Sequence, residues 1–185
     1  EITDGNTTDI TATDITTINS AITGAITVTN TIDINGSGSD VAAAFTAIDT
    51  NTGNATANVT GTDYTVAQLK TINDATTGAI VLAAPTANLT GSVSDTVDAF
   101  AGTVTTNTGT ITFDDNAGVD ITATDITSLN AKITGNITFS NAVDINGSGA
   151  QVKAAFDVID SNGNATAHIT GNDYTIAQLK AINNA

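Results

Sequence analysis

Cysteine, methionine, tryptophan and arginine are all missing from this chain of 185 residues. Without cysteine there is no disulfide framework and no thiolate metal site. Without cysteine or methionine there is no sulfur to oxidise, which suits an exposed life outside the cell. Without arginine, four lysines (Lys70, Lys132, Lys153 and Lys180) face 19 acidic side chains, giving a net charge of -15. That balance excludes nucleic acid, whose phosphates need a basic face, and an anionic membrane surface. It makes cations the natural small partners. Aromatic residues are scarce, at two Tyr and five Phe, whereas a globular enzyme of this size packs its centre with large rings. The longest apolar run, residues 79–85, is far too short to span a bilayer, and no signal peptide is visible.

What the chain does have is repetition. Ile34-Asn35-Gly36-Ser37 is an aliphatic residue, then Thr or Asn, then Gly or Ala, then a small hydroxyl or amide residue. The pattern begins at Ile10, Ile34, Val59, Leu89, Ile121, Ile145 and Ile169. A recurrence every two to three dozen positions means stacked repeats. The hydrophobic share is 40% and periodic, so the low complexity is not that of a disordered tract.

Each tetrapeptide is preceded by an alternating run. Ile26, Val28, Ile32 and Ile34 share one parity, as do Ile137, Phe139, Val143 and Ile145. Period two with branched residues predicts strands. Asn6, Asn30 and Asn141 interrupt the apolar side. They mark either a bend whose stacked amides bond repeat to repeat, or a plain turn. After each tetrapeptide the spacing becomes helical, as in Val41, Ala44, Phe45 and Ile48, or Val152, Ala155, Phe156 and Ile159. Thr65-Val66-Ala67-Gln68 and Thr175-Ile176-Ala177-Gln178 are capping boxes, and Ser37 with Asp40, Ser92 with Asp95 and Ser148 with Gln151 share the spacing. In the first and fifth repeats the cap is Thr11 or Thr13, and Thr122 or Thr124. Gly24, Gly53, Gly78, Gly109, Gly135 and Gly163 follow the helices and are expected to stop them in a left-handed conformation.

One repeat is therefore strand, bend, strand, corner, helix, glycine. No repeat of this kind buries its own apolar face, so neighbours must stack. The expected fold is α/β: a right-handed solenoid of seven strand-plus-short-helix coils, one coil per about 24 to 32 residues, with parallel strands about 4.8 Å apart. A longer period runs through it, for Ile34 recurs as Ile145 and Tyr64 as Tyr174. Residues 1–185 thus read as one array, with a four-coil super-repeat over about 1–108 and three coils of a second over 109–185. The fourth coil is the odd one: it holds the single proline, Pro85, where strand parity breaks between Ile80/Leu82 and Leu89. The ends carry no special caps, so the expectation is a slice of a longer array or a subunit that stacks end to end. Residues following such a slice are expected to resemble Thr76-Thr77-Gly78-Ala79-Ile80.

Chemistry has few footholds. The one histidine, His168, has Asn58 as its counterpart and sits on the polar parity of a strand, so no hydrolytic triad can be assembled around it. Zinc sites need Cys or several His. A polysaccharide lyase of the parallel β-helix kind needs basic residues that are missing here. Paired carboxylates for glycoside cleavage are poorly matched by aspartates that recur once per super-repeat, as Asp9/Asp120, Asp33/Asp144 and Asp63/Asp173 do. No catalytic or cofactor-binding residue is expected. Calcium is the one plausible ligand: Asp114 and Asp115 lie in a bend with Asp120 just beyond, offering the oxygens hard cations prefer. Neither an EF-hand loop nor a glycine-rich calcium nonapeptide is present. Threonine rows raise an ice-binding alternative, although Asp and Asn interrupt them. Asn-x-Thr triplets such as Asn54-Ala55-Thr56 fit the glycosylation pattern but arise freely in so Asn- and Thr-rich a chain.

The segments Tyr64-Thr65-Val66-Ala67-Gln68-Leu69-Lys70-Thr71-Ile72-Asn73-Asp74-Ala75-Thr76-Thr77-Gly78 and Ser37-Gly38-Ser39-Asp40-Val41-Ala42-Ala43-Ala44-Phe45 resemble repeat arrays of giant secreted cell-surface proteins of marine bacteria, cyanobacteria especially. The resemblance implies a bacterial cell-surface or released protein in adhesion, coats, motility or filaments, and it carries over no catalytic residue. The sequence thus leads to an extracellular structural or adhesive repeat protein that is not an enzyme. Its partners are other copies of itself or neighbouring repeats, with no nucleic acid and no membrane insertion. The alternatives are a surface module holding calcium or glycans, and then ice binding.

Overall fold

A computed structural model describes residues 1–185. The chain is α/β, with seven helices alternating with short strands. All eight strand pairs are parallel, and the strands form four separate sheets. Two compact units are present, Glu1–Ala87 with Asp98–Thr105, and Asn88–Val97 with Thr106–Ala185.

The first unit runs β1 (Asp9–Thr11), α1 (Ala12–Ala21), β2 (Thr27–Val28), β3 (Asp33–Gly36), α2 (Gly38–Ala47), β4 (Thr50–Asn51), β5 (Thr56–Val59), α3 (Val66–Ala75) and β6 (Ile80–Leu82). Its larger sheet has the order β1-β3-β5-β6, and β2 pairs with β4. The first two tetrapeptides stand in register, Ile10 opposite Ile34, whereas the third is offset by two residues, with Ala57 opposite Ile34 and Val59 opposite Gly36. The alternating residues Ile26, Val28, Ile32 and Ile34 are buried, with Val41, Ala44 and Phe45 from α2 over them. Helix α2 packs between α1 and α3.

Next come β7 (Leu89–Gly91) and α4 (Val93–Ala99), the helix that the division between the units cuts, then β8 (Ile111–Phe113), β9 (Asp120–Thr122), α5 (Ala123–Asn130), β10 (Ile137–Phe139), β11 (Asp144–Gly147), α6 (Gly149–Val158), β12 (Thr166–Ile169) and α7 (Ile176–Asn183). The second unit has sheets β10-β8-β7 and β12-β11-β9. The rings of Phe113 and Phe139, which face each other in register on β8 and β10, lie 5.0 Å apart.

The second to sixth repeats each give two short strands, as the strand-bend-strand order anticipates, and the two go to different sheets; the first and seventh each give one named strand, β1 and β12. The fourth repeat departs furthest. Its β6 continues the sheet of β5, with Ile80 opposite Ala57, while its β7 pairs with β8. The parity break at Pro85 lies between them. The compact units therefore divide inside this repeat, earlier than the super-repeat boundary near 108.

The bend asparagines bond from repeat to repeat, but to backbone and not to one another. Asn30 Nδ2 donates to the carbonyls of Thr3 and Asp4, Asn141 Nδ2 donates to that of Asp115, and Asn6 Oδ1 accepts from the Thr31 amide. The capping boxes at Thr65, Ser148 and Thr175 are complete. Ser37 caps the Asp40 amide and Ser92 the Asp95 amide. At the open choices the caps are Thr11 and Thr122, neither with a side-chain bond.

The glycines correct the sequence reading. Of the six expected to stop helices, Gly24, Gly53, Gly78, Gly109 and Gly135 do not have a positive φ; Gly163 does, at 58°. Helices α1, α2, α3 and α6 end on extended residues. Gly53, Gly78 and Gly135 serve close approach instead, while Gly24 has open space around it. A Cβ on Gly53 would lie 2.1 Å from the Asn30 carbonyl oxygen, one on Gly78 2.5 Å from that of Ala55, and one on Gly135 2.2 Å from that of Gly109. Only a residue without a side chain lets the next repeat cross the last one so tightly.

Candidate functional site

The acidic turn lies between β8 and β9. The Asp114 amide donates to the Gly91 carbonyl at 3.2 Å, and its side chain is exposed. Asp115 is pinned at both ends of the residue: Oδ2 accepts from the Val93 amide at 2.9 Å, and its carbonyl accepts from Asn141 Nδ2 at 2.8 Å. Asp120 Oδ1 accepts from Asn146 Nδ2 at 2.9 Å. Asp115 and Asp120 share a shallow hollow of about 130 Å³ with Asp125, which the sequence reading did not single out; Asp114 is not part of its lining. No set of three acidic or imidazole side chains converges closely enough to hold a metal ion.

The first unit repeats this arrangement. Asp4, Asp9 and Asp14, the counterparts of Asp115, Asp120 and Asp125, line a hollow of about 290 Å³. Asp9 Oδ1 accepts from Asn35 Nδ2 at 3.0 Å, as Asp120 does from Asn146. A second recurrent pair went unnoticed in the sequence. Asp49 Oδ2 accepts from the Ile26 amide and Asp160 Oδ2 from the Ile137 amide, both at 2.8 Å. In each case the carboxylate satisfies a backbone donor at the start of the preceding repeat's strand run, where an unpaired amide is costly. The signal was available, since the two aspartates stand one super-repeat apart, with the same offset as Ile34 and Ile145.

His168 stands on β12 opposite Asn146, as its counterpart Asn58 stands on β5 opposite Asn35. It is exposed. Lys70 pairs with Asp98 in the same unit, and Lys153 with Asp157 one helical turn on. Tyr64 is buried, with its hydroxyl donating to the Ala84 carbonyl. Burial, only partly offset by a backbone hydrogen bond at Ala87, holds that phenol above its usual range of about 10.

Both units also present open edges. In the first unit β1 is a sheet edge, with Ile18 and Ile22 exposed beyond α1; in the second β12 is an edge, with Tyr174, Ile176 and Leu179 exposed around α7. No helix is long and apolar enough to cross a membrane. No protein-family model, no curated protein and no solved structure matches the chain.

Proposed function

We propose that this is an extracellular structural or adhesive repeat protein of a bacterial cell surface, and that its seven repeats form one right-handed solenoid whose function is to stack. The observation that carries the reading is the use made of polar side chains. Asp9/Asp120, Asp49/Asp160, Asn35/Asn146 and Asn30/Asn141 recur at the super-repeat period and bond one repeat to the next. Catalytic groups work as a single constellation, and a reactive set has no reason to be duplicated at matching structural positions. Parallel strands in register and small residues at the crossings fit a unit built for repetition. A chain free of sulfur and rich in aspartate fits a life outside the cell, and the resemblance to giant secreted repeat proteins supports the same place.

Electron microscopy of the purified chain tests this. Rods or filaments with a uniform width and a rise of about 4.8 Å per repeat are expected. Isolated globular particles at every concentration, together with saturable glycan binding, would move the assignment to a surface-binding module.

A further inference from the structure

Asn-Gly occurs three times in the chain, at Asn35-Gly36, Asn146-Gly147 and Asn162-Gly163. It is the pair that cyclises most readily, because glycine has no side chain to keep its own nitrogen away from the asparagine amide carbon. The fold treats the three pairs differently.

Two of them are locked in sheets. Gly36 stands in the β3–β5 ladder opposite Val59, and Gly147 in the β11–β12 ladder opposite Ile169. Their carbonyls accept from the Thr60 and Thr170 amides, each at 2.8 Å. The side-chain nitrogens are held as well. Asn35 Nδ2 donates to Asp9 Oδ1 and the Asp33 carbonyl, and Asn146 Nδ2 to Asp120 Oδ1 and the Asp144 carbonyl.

The third pair lies in the turn between α6 and β12, outside any named strand. Gly163 has a left-handed backbone, with φ 58°, and so has Asn164, with φ 64°. The Asn164 amide donates to Asn162 Oδ1 at 3.0 Å. The Gly163 amide makes no hydrogen bond, whereas that of its counterpart Gly53 donates to the Val28 carbonyl at 3.2 Å. Asn162 is half-buried, and Thr52, which holds its place in the third repeat, is exposed with the fourth repeat paired alongside. Water therefore reaches this turn where a further repeat follows.

We propose that Asn162-Gly163 is a self-modification site that converts to isoaspartate and aspartate, and that the sheets protect the other two Asn-Gly pairs. The Gly163 nitrogen gives its proton to solvent base and attacks Asn162 Cγ. Charge gathers on Oδ1, which the Asn164 N–H already faces. The Cγ–Nδ2 bond breaks, and Nδ2 leaves as ammonia with a proton from water, giving a succinimide. Water then opens the ring. Breaking the bond from nitrogen to Cγ yields aspartate; breaking the bond from nitrogen to the backbone carbon yields isoaspartate. The net change is one water taken up and one ammonia lost. In β3 and β11 the same attack has to pull the glycine out of its ladder and the amide off its aspartate.

The site matters for packing because Gly163 crosses the sixth repeat closely. A Cβ there would lie 2.6 Å from the Phe139 carbonyl oxygen and 2.8 Å from that of Asn141. Isoaspartate lengthens the backbone by a carbon at this crossing and adds a negative charge beside those carbonyls. The seventh repeat is then held less tightly on the sixth.

The test is incubation of the full chain in mildly alkaline buffer, with isoaspartate located by peptide mapping and mass spectrometry. In the folded chain Asn162 should convert at least about tenfold faster than Asn35 or Asn146. In guanidinium the three rates should converge, since only the fold separates them. Asn162→Thr, which copies the third repeat, should abolish the fast conversion and leave the slow ones. Amide exchange in β12 should quicken as the native chain ages and stay constant in Asn162→Thr. Equal rates at the three asparagines in the folded chain would overturn the proposal. So would an Asn162 that stays intact when folded while the unfolded chain converts. A gap that survives guanidinium would overturn protection by the sheets, and unchanged exchange in β12 after conversion would overturn the loosening.

Discussion

Thr7 and Gly118 occupy matching places in the two super-repeats, and both have a left-handed backbone, with φ 63° and 75°. They make the same bond: the Thr7 amide donates to the Thr31 carbonyl at 2.7 Å and the Gly118 amide to that of Ala142 at 2.8 Å. A β-branched residue is strained there and glycine is not. Thr7→Gly is therefore expected to stabilise the chain by about 1 kcal/mol in urea unfolding, the strain relieved exceeding the entropy glycine adds to the unfolded state. Tyr64 gives a pH prediction. Its phenol loses its proton at a higher pH folded than unfolded, so the unfolded chain binds fewer protons above about pH 10 and stability falls with pH there. The contribution is complete below the unfolded value and is lost as pH rises through the folded one. Tyr64→Phe should flatten that alkaline loss in melting temperatures measured at several pH values; an unchanged slope would place its origin elsewhere.

At the scale of the element, the helix caps were legible in sequence because a capping box is a local device: the Thr65 amide donates to Gln68 Oε1 and the Gln68 amide to Thr65 Oγ1, all within one helical turn. The role of the crossing glycines was not, since it depends on a neighbour one repeat away that no local pattern reveals. Gly53→Ala should cost about 3 kcal/mol or more, as the added carbon has only the rigid backbone of Asn30 to displace. Gly24→Ala is expected to be close to neutral, because a Cβ there meets nothing within 4 Å and φ is not positive; thermal melts of the two variants make the comparison. Helices α3 and α7 share a capping box, but α3 buries Val66, Leu69 and Ile72 whereas α7 buries none of its residues. Amide exchange in α7 should therefore be at least about a hundredfold faster than in α3, because packing and not capping sets the opening free energy of short helices.

For the whole molecule, the net charge of -15 makes cation binding the natural question. The carboxylates of Asp115 and Asp120 already accept from Val93 and Asn146, while Asp114, exposed like Asp120, is not among the residues lining their hollow. Melting curves in calcium and in EDTA are expected to coincide; a shift of several degrees that Asp114→Asn abolishes would establish a structural ion at this turn. Of the candidate site, the sequence pointed to this turn and missed Asp125. Periodicity could have supplied it, since Asp14 and Asp125 end matching Asp-Ile-Thr-Ala-Thr-Asp runs. The hydrogen bonds that occupy these carboxylates cross between repeats and so lie outside what spacing along the chain can show.

By itself the sequence determined the repeat length, the alternation of strand and helix, the inward face of each and most of the caps. These follow from strand and helix periodicity and from contacts within a few positions of the chain. Only the tertiary structure decided that the two strands of the second to sixth repeats go to different sheets, that Gly53, Gly78 and Gly135 are crossing points and not helix stops, and that the compact units part inside the fourth repeat. It alone separates Tyr64 from Tyr174, two residues in almost identical sequence, one buried and one open. The physical reason is the same in each case: burial and close backbone approach belong to pairs of repeats, and a residue's own neighbours in sequence do not say which repeat will lie across it.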